Sequence, residues 1–304
     1  MTNANNCPRD FKGTSAQRTE VVYVCSPEWQ HYLFTSLRSL LASGTTFDQI
    51  VIYCVGKRPR SWNFLDSRIL VEEVTPLAEG YFLINKAYAC QRPDKVDRVV
   101  FLDADTMVLK PLDTLYKNVS EDFIARVAGQ FQNKEWNQKK WTEALRIVNG
   151  DDTAPYFNSG VIIFQNGTHR RVGHSWLDFT RRNLDGGLMK LRSKRFAEQL
   201  SLSLAVGAAG LSYHMLDRTG HAYGWRNEPY RDAVVFHTSG PFLPMATVIE
   251  RELGIANLDL PAFKGAGRMN RIKLHRKFRH IRARVKSLMK IWMPSVTHLL
   301  FVRN

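Results

Sequence analysis

No stretch of the sequence reaches the roughly 18 to 20 apolar residues that span a bilayer, which excludes a membrane-crossing helix. Met1 to Arg18 is polar and lacks the apolar core of a signal peptide. Residues 1–18 are therefore expected to form a disordered leader and the protein to be cytoplasmic. Cysteine is scarce: Cys7, Cys25, Cys54 and Cys90 form no Cys-x-x-Cys pair, so the paired-cysteine metal and redox motifs are excluded. Cys25 and Cys54 fall in apolar strand-like runs where a free thiol packs as a small hydrophobe, which favours a reducing compartment. Acidic residues are missing from one region entirely. From Lys264 onward there are twelve Lys or Arg and no Asp or Glu, so the tail carries +12 of the formal net charge of +15 and the rest only +3.

That distribution decides what the basicity means. The main body is nearly neutral, and the charge points to an anionic partner for the tail rather than to the substrate of the body. Leu274, Phe278, Ile281, Val285, Leu288 and Trp292 recur at steps of four and three, with basic residues such as Arg276, Lys277, Arg279 and Arg282 covering the remainder. The stretch 263–304 thus reads as a basic amphipathic helix lying on an anionic membrane surface, at its cytosolic face. The alternative is a helix docked on the protein's own core. No recognised nucleic-acid motif accompanies the charge, which argues against a nucleic-acid partner.

What is present is an α/β pattern across 19–262. Strands are predicted at Val21 to Cys25, Gln49 to Val55, Ile69 to Val74 and Val99 to Leu102. Helices are predicted from Trp29 to Leu41, with Leu33, Leu37, Leu40 and Leu41 on one face, and from Leu83 to Cys90. Such alternation implies a mainly parallel sheet flanked by helices, with ligands gathering at the carboxyl ends of the strands. Residues 129 to 155 read as a loop with a helix over a binding face. Further helices are expected over Gly173 to Asn183 and Phe196 to Ala205.

The strand Val99 to Leu102 ends in two carboxylates, Asp103-Ala104-Asp105. Like charges placed together at a strand end need a counter-charge, and a divalent cation with oxygen ligands is a usual remedy. A lone Asp-x-Asp can also cap the next element. Phe157-Asn158-Ser159-Gly160-Val161 reads as a turn feeding an apolar strand, where Gly160 lets backbone approach a ligand and Asn158 offers donor and acceptor. Glu198 and Gln199 open a helix and either face the cleft or form a solvated first turn. Ala233-Val234-Val235-Phe236-His237 repeats the first design, a buried strand ending in one coordinating side chain. Two Asp and one His form a set compatible with manganese. The loop Tyr223 to Glu228 is aromatic and polar, suited to stacking on a sugar or base.

Taken together and in this order, these motifs resemble the glycogenin-like family-8 glycosyltransferases, over roughly Val21 to Pro241. The resemblance implies the GT-A fold, an α/β Rossmann-like sheet flanked by helices, and transfer from a nucleotide-sugar donor with retention. It implies Asp103, Asp105 and His237 as ligands of Mn2+ or Mg2+, with Asp103, Ala104 and Asp105 at the UDP-sugar. Lys86 is the basic residue shortly before the metal strand, and Ser26 is a candidate for base contact. Asn158, Glu198 and Gln199 would orient the donor sugar, and the acceptor would be a glycan or lipid-linked. The chain departs from the family in two places. Gly240-Pro241-Phe242 replaces the usual Gly to Lys-Pro-Trp run, and Glu198 stands where Asp is usual. Two other classes share part of the pattern: a haloacid-dehalogenase-type phosphatase, whose strand also ends in Asp-x-Asp, and a catalytically silent glycosyltransferase-like scaffold.

Overall fold

β-Branched and aromatic residues dominate the first strand, β1 (Thr19–Cys25), and each of its residues is buried, as expected of a strand at the middle of a sheet covered on both faces. The computed structural model describes residues 17–64, 66–128, 138–188, 194–238 and 248–254. Most of the predicted leader, the basic tail 263–304 and the Gly240-Pro241-Phe242 departure lie outside them. No helix of the described residues is long and apolar enough to cross a membrane.

Beside β1 lie β2 (Gln49–Val55) and β4 (Arg98–Leu102), with β3 (Ile69–Val74) on the far side of β2, all parallel. The sheet continues through β6 (Phe123–Val127), β7 (Phe157–Phe164) and β8 (Tyr213–Leu216), giving the order β3-β2-β1-β4-β7-β6-β8. Strand β7 runs antiparallel to both neighbours, so the sheet is mixed and mainly parallel. Its side chains alternate between two apolar clusters. Leu33, Leu37 and Leu40 of α1 (Gln30–Ala42) join one, while Val172 and Trp176 of α3 (His169–Leu184) and Leu200 and Leu204 of α4 (Ala197–Ala208) join the other. Helix α2 (Gln138–Ile147) adds Trp141 and Leu145 to the second cluster. Leu41 is only partly buried.

A second, three-stranded sheet has the order β5-β10-β9, from β5 (Thr106–Val108), β9 (His221–Tyr223) and β10 (Val235–His237). It is fastened to α1 by hydroxyls. Ser39 Oγ accepts the Val108 N–H at 2.9 Å, and Ser36 Oγ lies 3.3 Å from Thr106 Oγ1 and 3.0 Å from the Tyr23 hydroxyl.

Two local expectations are corrected. Phe82–Gln91 forms 3-10 turns rather than an α-helix. Asn85 explains why: its side chain accepts from Leu77 N and donates to Phe82 O, competing with the helical backbone pattern. Nor is Asn-Ser-Gly a turn. It lies inside β7, within the register irregularity where Phe157 to Ile162 spans only Ala125 to Val127 of β6, and Asn158 Oδ1 accepts the Gly160 N–H at 2.9 Å.

Cys25 and Cys54 face each other across the β1–β2 register, yet both are free thiols in the core. Below them, Glu20 is fully buried and Arg92 Nε donates to it at 2.6 Å while Arg92 Nη1 reaches Tyr53 and Glu72. Arg18 also donates to Glu20 Oε1, through Nε at 3.1 Å and Nη2 at 2.8 Å, so removing Arg92 strips the partner of Oε2. Arg92→Leu is expected to destabilise the fold by about 3 to 5 kcal/mol, read as a lower urea midpoint; an unchanged midpoint would show that Arg18 alone suffices for Glu20.

Candidate active site

The chain turns sharply after β4, and the turn is closed by its own backbone. Asp103 N–H donates across to Gly160 O at 2.8 Å, and Thr106 N–H and hydroxyl both donate to Asp103 O, at 3.1 and 2.7 Å. Asp103 is thereby tied to the main sheet, and Asp105 to the small one. Strand β10 pairs antiparallel with β5, placing His237 opposite Thr106, and Thr238 donates to Asp105 O through its N–H at 3.1 Å and its hydroxyl at 3.0 Å. That register brings His237 Nε2 to 3.1 Å from Asp105 Oδ1 and 3.8 Å from Asp103 Oδ2. One ligand atom from each of Asp103, Asp105 and His237 lies within 4.8 Å of the others. Two oxygens and a nitrogen at that spacing fit a divalent cation, and no other such cluster occurs among the described residues.

Lys86 sits against Asp103. Its ammonium donates to Asp103 Oδ2 at 2.8 Å and to Ser159 Oγ at 3.2 Å, and lies 3.8 Å from Glu198 Oε2. Burial opposes this ammonium, but Asp103 and Glu198 outweigh it and hold the proton above the ordinary lysine range. His237 behaves alike: burial disfavours its charge, and Asp105 more than compensates.

Glu198 and Gln199 are buried, which rules out the solvated first turn. Glu198 Oε2 accepts from Ser159 Oγ at 3.0 Å, while Oε1 is buried with no hydrogen-bond partner among the described residues. Gln199 Oε1 accepts from Asn158 Nδ2 at 3.1 Å and from Ser159 N–H at 3.2 Å. Its amide donates to the Tyr156 hydroxyl. The Asn-Ser stretch of β7 and the first turn of α4 are therefore one hydrogen-bonded unit, joined to the carboxylates through Lys86 and Ser159. Ala104 lies half-buried between the two Asp. Ser26 stands apart at the end of β1, its hydroxyl buried and unpartnered among the described residues.

The role expected for Gly160 changes. A Cβ built there would overlap the His237 imidazole at Cε1 and Nδ1, so the missing side chain makes room for the ring rather than for a ligand. Sequence reasoning also passed over Ser159, which links Lys86 to Glu198, and His221, whose Nε2 lies 3.3 Å from His237 Nδ1. Neither carries a periodic or spacing signal. Trp225, 44% exposed, stacks on Tyr223 with ring centroids 4.2 Å apart and meets the His237 ring edge-on at 5.2 Å.

A mixed sheet of this order with an acidic strand end facing a histidine defines a glycosyltransferase of GT-A architecture, and comparison with solved structures agrees. The fold is similar to that of the galactosyltransferase LgtC in complex with donor and acceptor sugar analogues, at 15% identity and a TM-score of 0.56, over 77% of this chain and 95% of that one. It is also similar to apo glycosyltransferase GlyE of Streptococcus pneumoniae TIGR4, at 13% identity and 0.53, over 78% of this chain and 63% of that one. The chain belongs to the family of the Rhodobacterales glycosyltransferase domain, whose model matches residues 59–210. No curated protein sequence matches it. The phosphatase and silent-scaffold alternatives give way to this assignment.

Two consequences are measurable. Gly160→Ala is expected to displace the His237 ring and weaken Mn2+ binding by about 10-fold or more while the fold survives; calorimetric titration that finds unchanged affinity would refute the cradle. Burial pushes the Glu198 carboxyl up to about 7 from 4.5, with Lys86 opposing and Asp103 reinforcing the rise. Between those values the folded state holds a proton that the unfolded chain has lost, so stability falls as pH rises through the window and the loss is complete above it. Glu198→Gln removes that loss. In metal-free buffer its melting temperature relative to the parent should rise by about 5 °C from about pH 5 to about pH 8, whereas a constant difference would contradict the shift.

Proposed function

We propose that the chain transfers a sugar from a UDP-sugar to a glycan or lipid-linked acceptor with retention, in the manner of the glycogenin-like family-8 enzymes, using Mn2+ or Mg2+ at Asp103, Asp105 and His237. The observation that carries this reading is the convergence of those three side chains, brought from two sheets to within 4.8 Å. A divalent cation bound there supplies the Lewis acid that neutralises the leaving diphosphate. Asp103 and Asp105 provide hard oxygens, and His237 provides Nε2. Lys86 fixes the Asp103 carboxylate and adds a permanent positive charge to a site where negative charge develops.

Asn158 and Glu198 orient the donor sugar, with Gln199 acting through them. Glu198 Oε1, buried without a partner among the described residues, is an acceptor suited to a sugar hydroxyl. Gln199 is committed on both ends of its amide, to Asn158, Ser159 and Tyr156, so its part is to hold the β7 backbone in position. Ser26, at the end of β1, is the base-side candidate. UDP and retention rest on the resemblance to the family-8 enzymes, and the sugar donor and acceptor are supported by the ligands of the LgtC complex. The twelve basic residues and the apolar stripe of the tail support attachment to an anionic membrane at its cytosolic face.

The test is UDP release from a panel of UDP-sugars with Mn2+. One donor is expected to turn over, chelation to stop it, and Asp105→Ala to slow it by at least about 100-fold. Turnover of no nucleotide sugar, or full activity in Asp105→Ala, would overturn the reading.

A further inference from the structure

Resting on the metal-site reading, we propose that His221 is the positioning residue for His237: its Nε2 accepts the His237 Nδ1–H and so keeps the Nε2 electron pair of His237 turned toward the cation. An imidazole that binds a metal through Nε2 carries its proton on Nδ1, and that proton needs an acceptor when buried. His237 is 5% exposed, and the partner its Nδ1 meets is His221 Nε2, at 3.3 Å. The usual acceptor in this role is a carboxylate or a backbone carbonyl. Here it is a second imidazole, which accepts only as the neutral tautomer with its proton on Nδ1.

The surroundings hold both rings in that relation. Strands β9 and β10 run parallel with Val235 beside His221 and His237 beside Tyr223, so the two imidazoles lie 13° from parallel with centroids 5.5 Å apart. Tyr223 packs edge-on to the His221 ring at 4.9 Å, and Arg126 donates to the His221 carbonyl. Gly160 closes against the His237 ring at Nδ1 and Cε1. His221 is fully buried and its Nδ1 has no partner among the described residues, so the tautomer required here leaves that Nδ1–H without an acceptor, a cost that the hydrogen bond to His237 must offset.

Two measurements on the full chain test this. Selective 15N-histidine NMR of the Mg2+-loaded protein is expected to show both His237 and His221 protonated on Nδ1. In parallel, free-Mn2+ EPR should find affinity about 10- to 100-fold weaker in His221→Phe, which cannot accept, and within about threefold of the parent in His221→Gln, whose carbonyl can. His221 protonated on Nε2 in the loaded protein, or His221→Phe binding Mn2+ as the parent does, would overturn the proposal. The metal reading fails separately: a parent chain that binds no Mn2+, or binds it equally after Asp105→Ala, removes the centre itself. Should His221→Phe not fold, the NMR assignment on the unmodified chain decides alone.

Discussion

Three carboxylates drawn into one largely buried site against a single ammonium and a single imidazole form the constraint on which the rest depends. Asp103 and Asp105 stand two residues apart, and Glu198 reaches the same group through Ser159 and Lys86. Like charges that close raise each other's cost of ionisation unless positive charge is placed between them. Lys86 answers for Asp103 and Glu198, and His237 for Asp105. Burial pushes the Glu198 carboxyl up, and the neighbouring Asp103 adds to the rise against the opposing pull of Lys86. A divalent cation held there would complete the balance. The same side chains that are costly together as bare carboxylates are then a matched set of ligands and supports.

Meeting that constraint requires residues from distant parts of the chain, and each arrives by a different device. The parallel strands carry Asp103 to the carboxyl end of an interior strand of the main sheet. The buried 3-10 turns, braced by Asn85, present Lys86 from behind it. The antiparallel insertion of β7 between β4 and β6 brings Ser159 and Gly160 alongside, so that Gly160 O receives the Asp103 N–H while its bare Cα leaves room for His237. One glycine thus serves a carboxylate through its carbonyl and an imidazole through its missing side chain.

Much of this was legible in the sequence because it rests on local pattern. The apolar runs at β1, β2, β4 and β7, the leucine face of α1, and the polar residues closing two of those runs all announce themselves at short range. Asp103, Asp105 and His237 were readable as candidate coordinating residues at strand ends for that reason. What escaped depended on contacts between remote segments. Asn-Ser-Gly looks like a turn because Asn and Gly favour turns, and only the pairing of β7 on either side of it, with the Asp103 N–H on Gly160 O, keeps it extended. Leu83 to Cys90 looks helical until Asn85 spends its amide on neighbouring backbone. His221 lies in a strand of three residues, too short to show any period, and gains meaning only from the ring beside it.

The two sheets do not hold the ligands equally firmly. Asp103 hangs from a seven-stranded sheet with apolar clusters on both faces. His237 sits on a sheet of three-residue strands, which has little stability of its own. That small sheet is secured by side-chain bonds: Ser39 to the Val108 N–H, the Tyr23–Ser36–Thr106 hydroxyl chain, and Arg126 against the β9 carbonyl of His221. Asp105 and His237 share the small sheet through Thr238 and the β5–β10 register, so their separation is the stiff one. The distance from His237 to Asp103 crosses between sheets and is the one that α1 hydroxyls and the Gly160 cradle must fix. Small polar residues on the buried face of a leucine-rich helix are therefore part of what shapes the candidate metal site, although none of them touches the carboxylates.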